Sequence, residues 1–237
     1  MEIKLWKRPK GPIIIEGFPG FGLVGTIASE FLVDHLKTEQ IGKIIFEDMP
    51  AMVAIHENKV VEPLGIFYDK KYNIVILHAI TNSTGYEWEI ANTLVKLVKE
   101  LDAKEVISLE GVGSSATVEG KTEAFYYTDD RKKVAKFAAL GVKPLKEGII
   151  MGVTGALLLK TDQIKISAIF SETHSNLPDS KAAAEVIKVL DKYLGLKVDY
   201  KPLLEQAQKF EEKVKGILSK TAEAEEISEK KKMSYVG

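Results

Sequence analysis

The chain has 237 residues and a mass of 26.2 kDa, with 45% hydrophobic and 28% charged residues. That is enough for one large domain, or one domain with an appendage, burying roughly 70–75% of its unfolded surface. The absence of cysteine excludes disulfide frameworks, thiolate metal sites, iron–sulfur clusters and cysteine nucleophiles, and a net charge of −1 excludes the strongly basic footprint of a general nucleic-acid binder.

The segment Met1 to Lys10 is basic but has no apolar stretch of the secretory kind. Ile13-Ile14-Ile15, with Pro12 before and Glu16 after, sits between Gly11 and Gly17 and reads as a buried strand. A glycine loop follows, then a helix from about Leu23 to His35 with Leu23, Ile27 and Phe31 on one face. Lys43 to Glu47, Met52 to Ile55 and Leu64 to Tyr68 are short, closely spaced strand candidates, so some pair antiparallel. Asn73 to His78 is the best central strand, an unbroken run suited to burial on both faces. The helix after it carries Ile90, Leu94, Leu97, Val98 and Leu101 as its stripe, with Asn82, Ser83 or Thr84 as cap.

Glu105 to Leu109 is a further strand, followed by the glycine turn Gly111-Val112-Gly113. Ala124 to Tyr127 is strand-like, and a helix from about Asp129 to Leu140 closes at Gly141. Gly152-Val153-Thr154-Gly155 leads to a helix start at Ala156 to Leu159. Lys165 to Phe170 alternates as a strand, Ser171 to Ser180 reads as a polar loop, and Pro178-Asp179 opens a helix through Leu194. Strands alternating with helices predict an α/β sandwich with a mainly parallel sheet.

Composition changes near residue 199, which divides the chain into an α/β core (1–199) and a helix with a charged tail (200–237). Tyr200 to Lys220 carries an apolar stripe that includes Leu203, Leu204, Ala207, Phe210 and Val214, so this helix docks on the core or on a neighbouring subunit. Residues 221–232 are almost wholly Ala, Glu, Ser and Lys, a solvated helix or flexible arm. Apolar and aromatic groups return at Met233, Tyr235 and Val236, before Gly237.

Gly20-x-Gly22-x-x-Gly25, between a strand and a helix, has the spacing of a dinucleotide loop, with Glu47 or Asp48 at the distance of a ribose-binding carboxylate. Pro19, Phe18 and Phe21 add bulk where a phosphate would approach, so a tight strand-to-helix turn is the competing reading. Ser114, His174 and Asp179 form a triad only on paper, and Glu172 with His174 is short of a metal set. His78 and His56 read as packed or hydrogen-bonded side chains. No catalytic, cofactor-binding or metal site is expected, and no apolar run reaches the ~18 residues of a membrane span. The Lys and Glu bias, with Arg8 and Arg131 the only arginines, is a heat-adapted composition, and a cytoplasmic location is expected.

Gly17-Phe18-Pro19-Gly20-Phe21-Gly22-Leu23-Val24-Gly25, Gly152-Val153-Thr154-Gly155-Ala156-Leu157-Leu158-Leu159 and the strand–helix order resemble archaeal members of the PAC2 family, homologues of the eukaryotic proteasome assembly chaperones. The likeness covers about residues 10–195. It implies a phosphorylase-like three-layer α/β sandwich with a mainly parallel mixed sheet and a C-terminal helical extension, without phosphorylase catalysis. It also implies homo-oligomers or paired assemblies and a role as chaperone, adaptor or activator of the 20S proteasome, with core-particle α-subunits or a small adaptor protein as partner. In some proteins of this group a carboxy-terminal hydrophobic–tyrosine–any residue motif inserts between α-ring subunits. The resemblance thereby makes Met233, Tyr235, Val236 and Gly237 the partner-binding candidates here, although Tyr235 is third from the end and follows Ser234. Packing of the same residues on the protein's own core is the alternative.

Overall fold

The computed structural model describes residues 1–48, 53–56, 58–113, 122–173, 177–205, 209, 213–214, 216 and 219–220. In chain order its strands are β1 (Glu2–Leu5), β2 (Ile13–Gly17), β3 (Glu39–Ile45), β4 (Ala54–His56), β5 (Lys59–Val61), β6 (Leu64–Asp69), β7 (Ile74–Ala79), β8 (Glu105–Gly113), β9 (Ala124–Thr128), β10 (Lys143–Pro144) and β11 (Ile166–Thr173). The helices are α1 (Val24–His35), α2 (Glu87–Leu101), α3 (Arg131–Ala139), α4 (Gly152–Leu158), α5 (Ser180–Leu194) and α6 (Lys201–Glu205).

Nine strands form one mixed sheet in the order β1-β3-β6-β7-β2-β8-β11-β9-β10. The centre, β7-β2-β8-β11, is parallel. The β1, β3 and β6 flank is antiparallel; the link from β6 to β7, residues 70–73, is too short for a helical crossover. Period-two alternation sends neighbouring residues to opposite faces. Ile15, Ile74, Ile76, Ile107 and Ile169 pack against α1, α5 and Phe137 of α3, while Ile14, Val75, Leu77, Val106 and Ile166 pack against α2 and α4. Three layers result, as expected, and the α6 region adds Leu203 and Val214 to the α1/α5 side.

All six residues of β7 are buried, as its run predicted. Local expectations fail elsewhere for identifiable reasons. Asn82 does not cap α2; its Oδ1 accepts from the Thr84 amide (3.0 Å) and hydroxyl (2.7 Å), closing a turn of its own, and α2 starts only at Glu87. Gly111 to Gly113 is strand rather than turn: β8 runs to Gly113 in parallel register with Ser171 to Thr173 of β11, which likewise replaces the start of the expected polar loop. Ile166 to Ser171 is buried throughout instead of alternating, since helices cover both faces. α4 begins at Gly152, one turn earlier than expected. β3 also begins earlier, at Glu39, while β1 and β10 lie at the sheet's edges, where a few half-exposed residues leave little apolar signal.

Candidate functional site at the carboxyl end of the parallel strands

α1 leaves β2 on one face of the sheet, while α2 carries the chain from β7 across β2 to β8 on the other. The carboxyl ends of β2, β7 and β8 therefore surround a switch in strand order, the usual place for a crevice in an open α/β sheet. A cavity of about 470 Å³ lies there, lined by Phe18, Gly20, Phe21, Glu110, Met151 and Val153 among others.

Two carboxyl groups underlie it. Glu16 on β2 pairs in register with Ser108 on β8, and Glu110 lies two residues further along on the same face. Both are buried. Thr154 of α4 places its Oγ1 3.4 Å from Glu16 Oε1 and 3.2 Å from Glu110 Oε2, and Ser108 Oγ donates to Glu16 Oε1. A hydroxyl has one proton to give, so Thr154 bonds both groups only if one carboxyl carries a proton and donates to it. Burial pushes the Glu16 carboxyl up to about 7, against hydrogen bonds from Ser108, Thr154 and the Phe18 amide. Burial, then the neighbouring Glu16 charge, pushes Glu110 up to about 8. Elsewhere buried Glu105 meets Lys133 at 2.9 Å and half-buried Glu30 meets His78 and Lys213, while buried Asp69 accepts from the Tyr72 amide. Among the described residues Glu16 and Glu110 have only hydroxyls and amides as partners, and the pair resists ionisation well above the usual carboxylate range.

The glycine loop is explained by packing. A Cβ on Gly25 would overlap the Leu109 carbonyl oxygen, so glycine lets α1 approach β8, and one on Gly20 would overlap Glu110 Oε1. Gly22 and Leu23 both take left-handed φ (62° and 50°), turning the chain into α1. The Glu110 carboxyl therefore occupies the side of the loop where a pyrophosphate would approach, and its position disfavours the dinucleotide reading. Glu47 and Asp48 do not line this cavity.

His78 is buried and hydrogen-bonded, as expected. Its Nδ1 is 3.1 Å from Ser29 Oγ and its Nε2 2.7 Å from Glu30 Oε2. Ser29 donates its proton to the Thr26 carbonyl (3.0 Å), which leaves Nδ1–H as donor to Ser29, opposite to the polarity a serine nucleophile needs. Burial opposes ionisation of Glu30, but the His78 and Lys213 charges hold its carboxyl well below the usual carboxylate range. The Lys213 contact, 2.5 Å to Glu30 Oε1, ties the C-terminal helix to α1.

Of the other sequence candidates, Asp179 caps α5 by accepting from the Ala182 amide (3.0 Å) and also accepts from Thr173 Oγ1 (2.9 Å). Ser114, His174, Met233, Tyr235, Val236 and Gly237 lie outside the described residues. The carboxyl pair escaped the sequence reading, although Ile15-Glu16-Gly17 and Leu109-Glu110-Gly111 share one signal: a glutamate and a glycine closing an otherwise apolar strand. Around the cavity mouth Phe21, Ile149 and Met151 are exposed, Ile149 at 89%. No helix among the described residues is long and apolar enough to cross a membrane.

Residues 14–218 match the model of the PAC2 family. The crystal structure of Pyrococcus furiosus PbaA, described as an archaeal homolog of proteasome-assembly chaperone, is 34% identical, with 94% of this chain and 99% of that chain covered at a TM-score of 0.83. P. furiosus PbaB, described as an archaeal proteasome activator, shares the fold at 24% identity and a TM-score of 0.74, over 91% of this chain and 98% of that one. The Methanocaldococcus jannaschii protein MJ0106 is 25% identical over 96% of this chain and 94% of its own length.

Proposed function

The chain belongs to the PAC2 family, and from that premise we propose that it is a non-enzymatic, homo-oligomeric chaperone, adaptor or activator acting on the proteasome core particle in an archaeal cytoplasm. The observation that carries this reading is the apolar rim of Phe21, Ile149 and Met151, exposed at the cavity. Exposed apolar clusters of this kind mark protein-binding surfaces, and a symmetric assembly of copies would cover them. Residues 1–199 form the assembling unit. Residues 200–237 extend it, with Met233, Tyr235, Val236 and Gly237 meeting α-subunits or an adaptor; several such arms in one oligomer would add avidity.

The test combines light scattering with capture of purified core particle by wild type, Ile149→Asp/Met151→Asp and a deletion of Lys232 to Gly237. A multi-subunit mass for wild type, a lower mass for the rim variant and lost capture by the deletion are expected. A monodisperse wild-type monomer overturns the oligomer, and undiminished capture by the deletion overturns the tail's role.

A further inference from the structure

The cavity above Glu110 has a volume within the ~300–1,000 Å³ range of small-molecule sites. Its walls are apolar at Phe18, Phe21, Met151 and Val153, and Ser83 and Thr84 add hydroxyls at one side. Among the described residues the charged groups in the lining are Glu87, from the start of α2, and Glu110, with no Lys, Arg or His. Glu16 stands behind Glu110 across Thr154, and the adjoining cavity beyond Val112 and Gly113 carries both signs, with Glu147 and Glu172 beside Lys143 and Lys146.

An anion would oppose ionisation of Glu110 and Glu87 and would find no cation among the described lining residues. A purely apolar molecule would match the walls but offer the Glu110 carboxyl in the floor no hydrogen-bond donor. A ligand with N–H donors and a positive charge on an apolar body satisfies both the walls and the floor. We propose that this cavity binds a small organic cation, an ammonium group carried on an aromatic or aliphatic body, received by Glu110 with Glu16 behind it.

Binding carries a proton balance. The ammonium keeps its protons, the carboxyl O–H bond breaks, and that proton goes to solvent as the carboxylate forms. Because the pair holds its protons up to about 7 and 8, affinity rises with pH, by up to about tenfold per unit for each proton released. The cavity shares Phe21 and Met151 with the rim assigned above to contacts between copies, so the titration is run on the protein as it assembles in solution, without core particle.

The experiment is calorimetric titration of the full chain with 2-phenylethylammonium at pH 6 and pH 8, in buffers of different ionisation enthalpy, against 2-phenylethanol as the uncharged isostere. Affinity for the ammonium should increase about tenfold or more between the two pH values, with proton release, and exceed that for the alcohol by at least about tenfold. Glu110→Gln should weaken ammonium binding and flatten its pH dependence. No ammonium binding at pH 8, equal affinity for the alcohol, or an affinity that is flat or falling with pH overturns the proposal, and these wild-type comparisons hold whether or not the variant folds.

Discussion

Replacing Glu110 with glutamine removes a titrating group while keeping its shape and its contact with Thr154. In the unfolded chain glutamate releases its proton near 4.5, whereas the folded chain holds it to about 8 at Glu110 and about 7 at Glu16. Between those limits the folded state binds more protons than the unfolded one, so stability is greatest below about pH 4.5 for these groups and falls as pH rises through 7 and 8. At about 1.4 kcal/mol per pKa unit, the displacement at Glu110 corresponds to a loss on the order of 5 kcal/mol by pH 9, or roughly 10–20 °C in melting temperature for a domain of this size. Glu30 works in the opposite direction: its lowered pKa gives stability that is present above about 4.5 and lost as pH falls further. The optimum should therefore fall near pH 5. Guanidinium unfolding followed by circular dichroism at pH 5, 7 and 9 measures the slope. Wild type should lose midpoint concentration steadily, and Glu110→Gln should lose much less of it. A wild-type midpoint that is constant or rises from pH 5 to 9, or a variant that declines as steeply, would refute the assignment of a protonated pair.

Gly25→Ala should destabilise by about 3 kcal/mol, because the new methyl group must displace α1 from the Leu109 carbonyl; the same denaturant titration reads it, and a loss under 1 kcal/mol would mean the contact is loose. Glu30→Gln leaves His78 and Lys213 without their shared anion and should cost about 3–5 kcal/mol. Hydrogen exchange should then accelerate in α6 and around Lys213 before it does in β2 or β7, and uniform protection across the chain would contradict the tie between the C-terminal helix and α1.

Much of the fold was legible because burial on both faces writes itself into composition. Ile13-Ile14-Ile15 and Ile74 to Leu77 are strands that amphipathic helices must cover, and α2 and α5 carry clear stripes. Boundaries were less legible where backbone neighbours rather than side chains set them. Gly111 to Gly113 looks like a turn in isolation, yet continues a strand because β11 runs alongside and the loop carbonyl of Phe21 needs the space. The carboxyl pair illustrates a different limit. Glu16 and Glu110 are 94 positions apart, and only the β2–β8 register brings them to one face. The pattern of a glutamate inside a buried strand was visible, but its partner was not.

The position of β2 also bears on how the chain is made. The middle strand of the sheet is the second one synthesised, and its neighbours come much later: Ile13 waits 61 residues for Ile74 and 92 for Glu105. At about 5–20 residues per second, the Ile13-Ile14-Ile15 run stays without either parallel partner for several seconds after it leaves the ribosome. β3, β6 and β7 pair over shorter separations and can form a hairpin scaffold first, so β2 must then insert beside an exposed β7 edge. Such late, long-range closure is slow and leaves a sticky intermediate. The rate at which nascent chains of this protein escape aggregation should therefore depend on translation speed through α2, long before the surface that meets a partner exists.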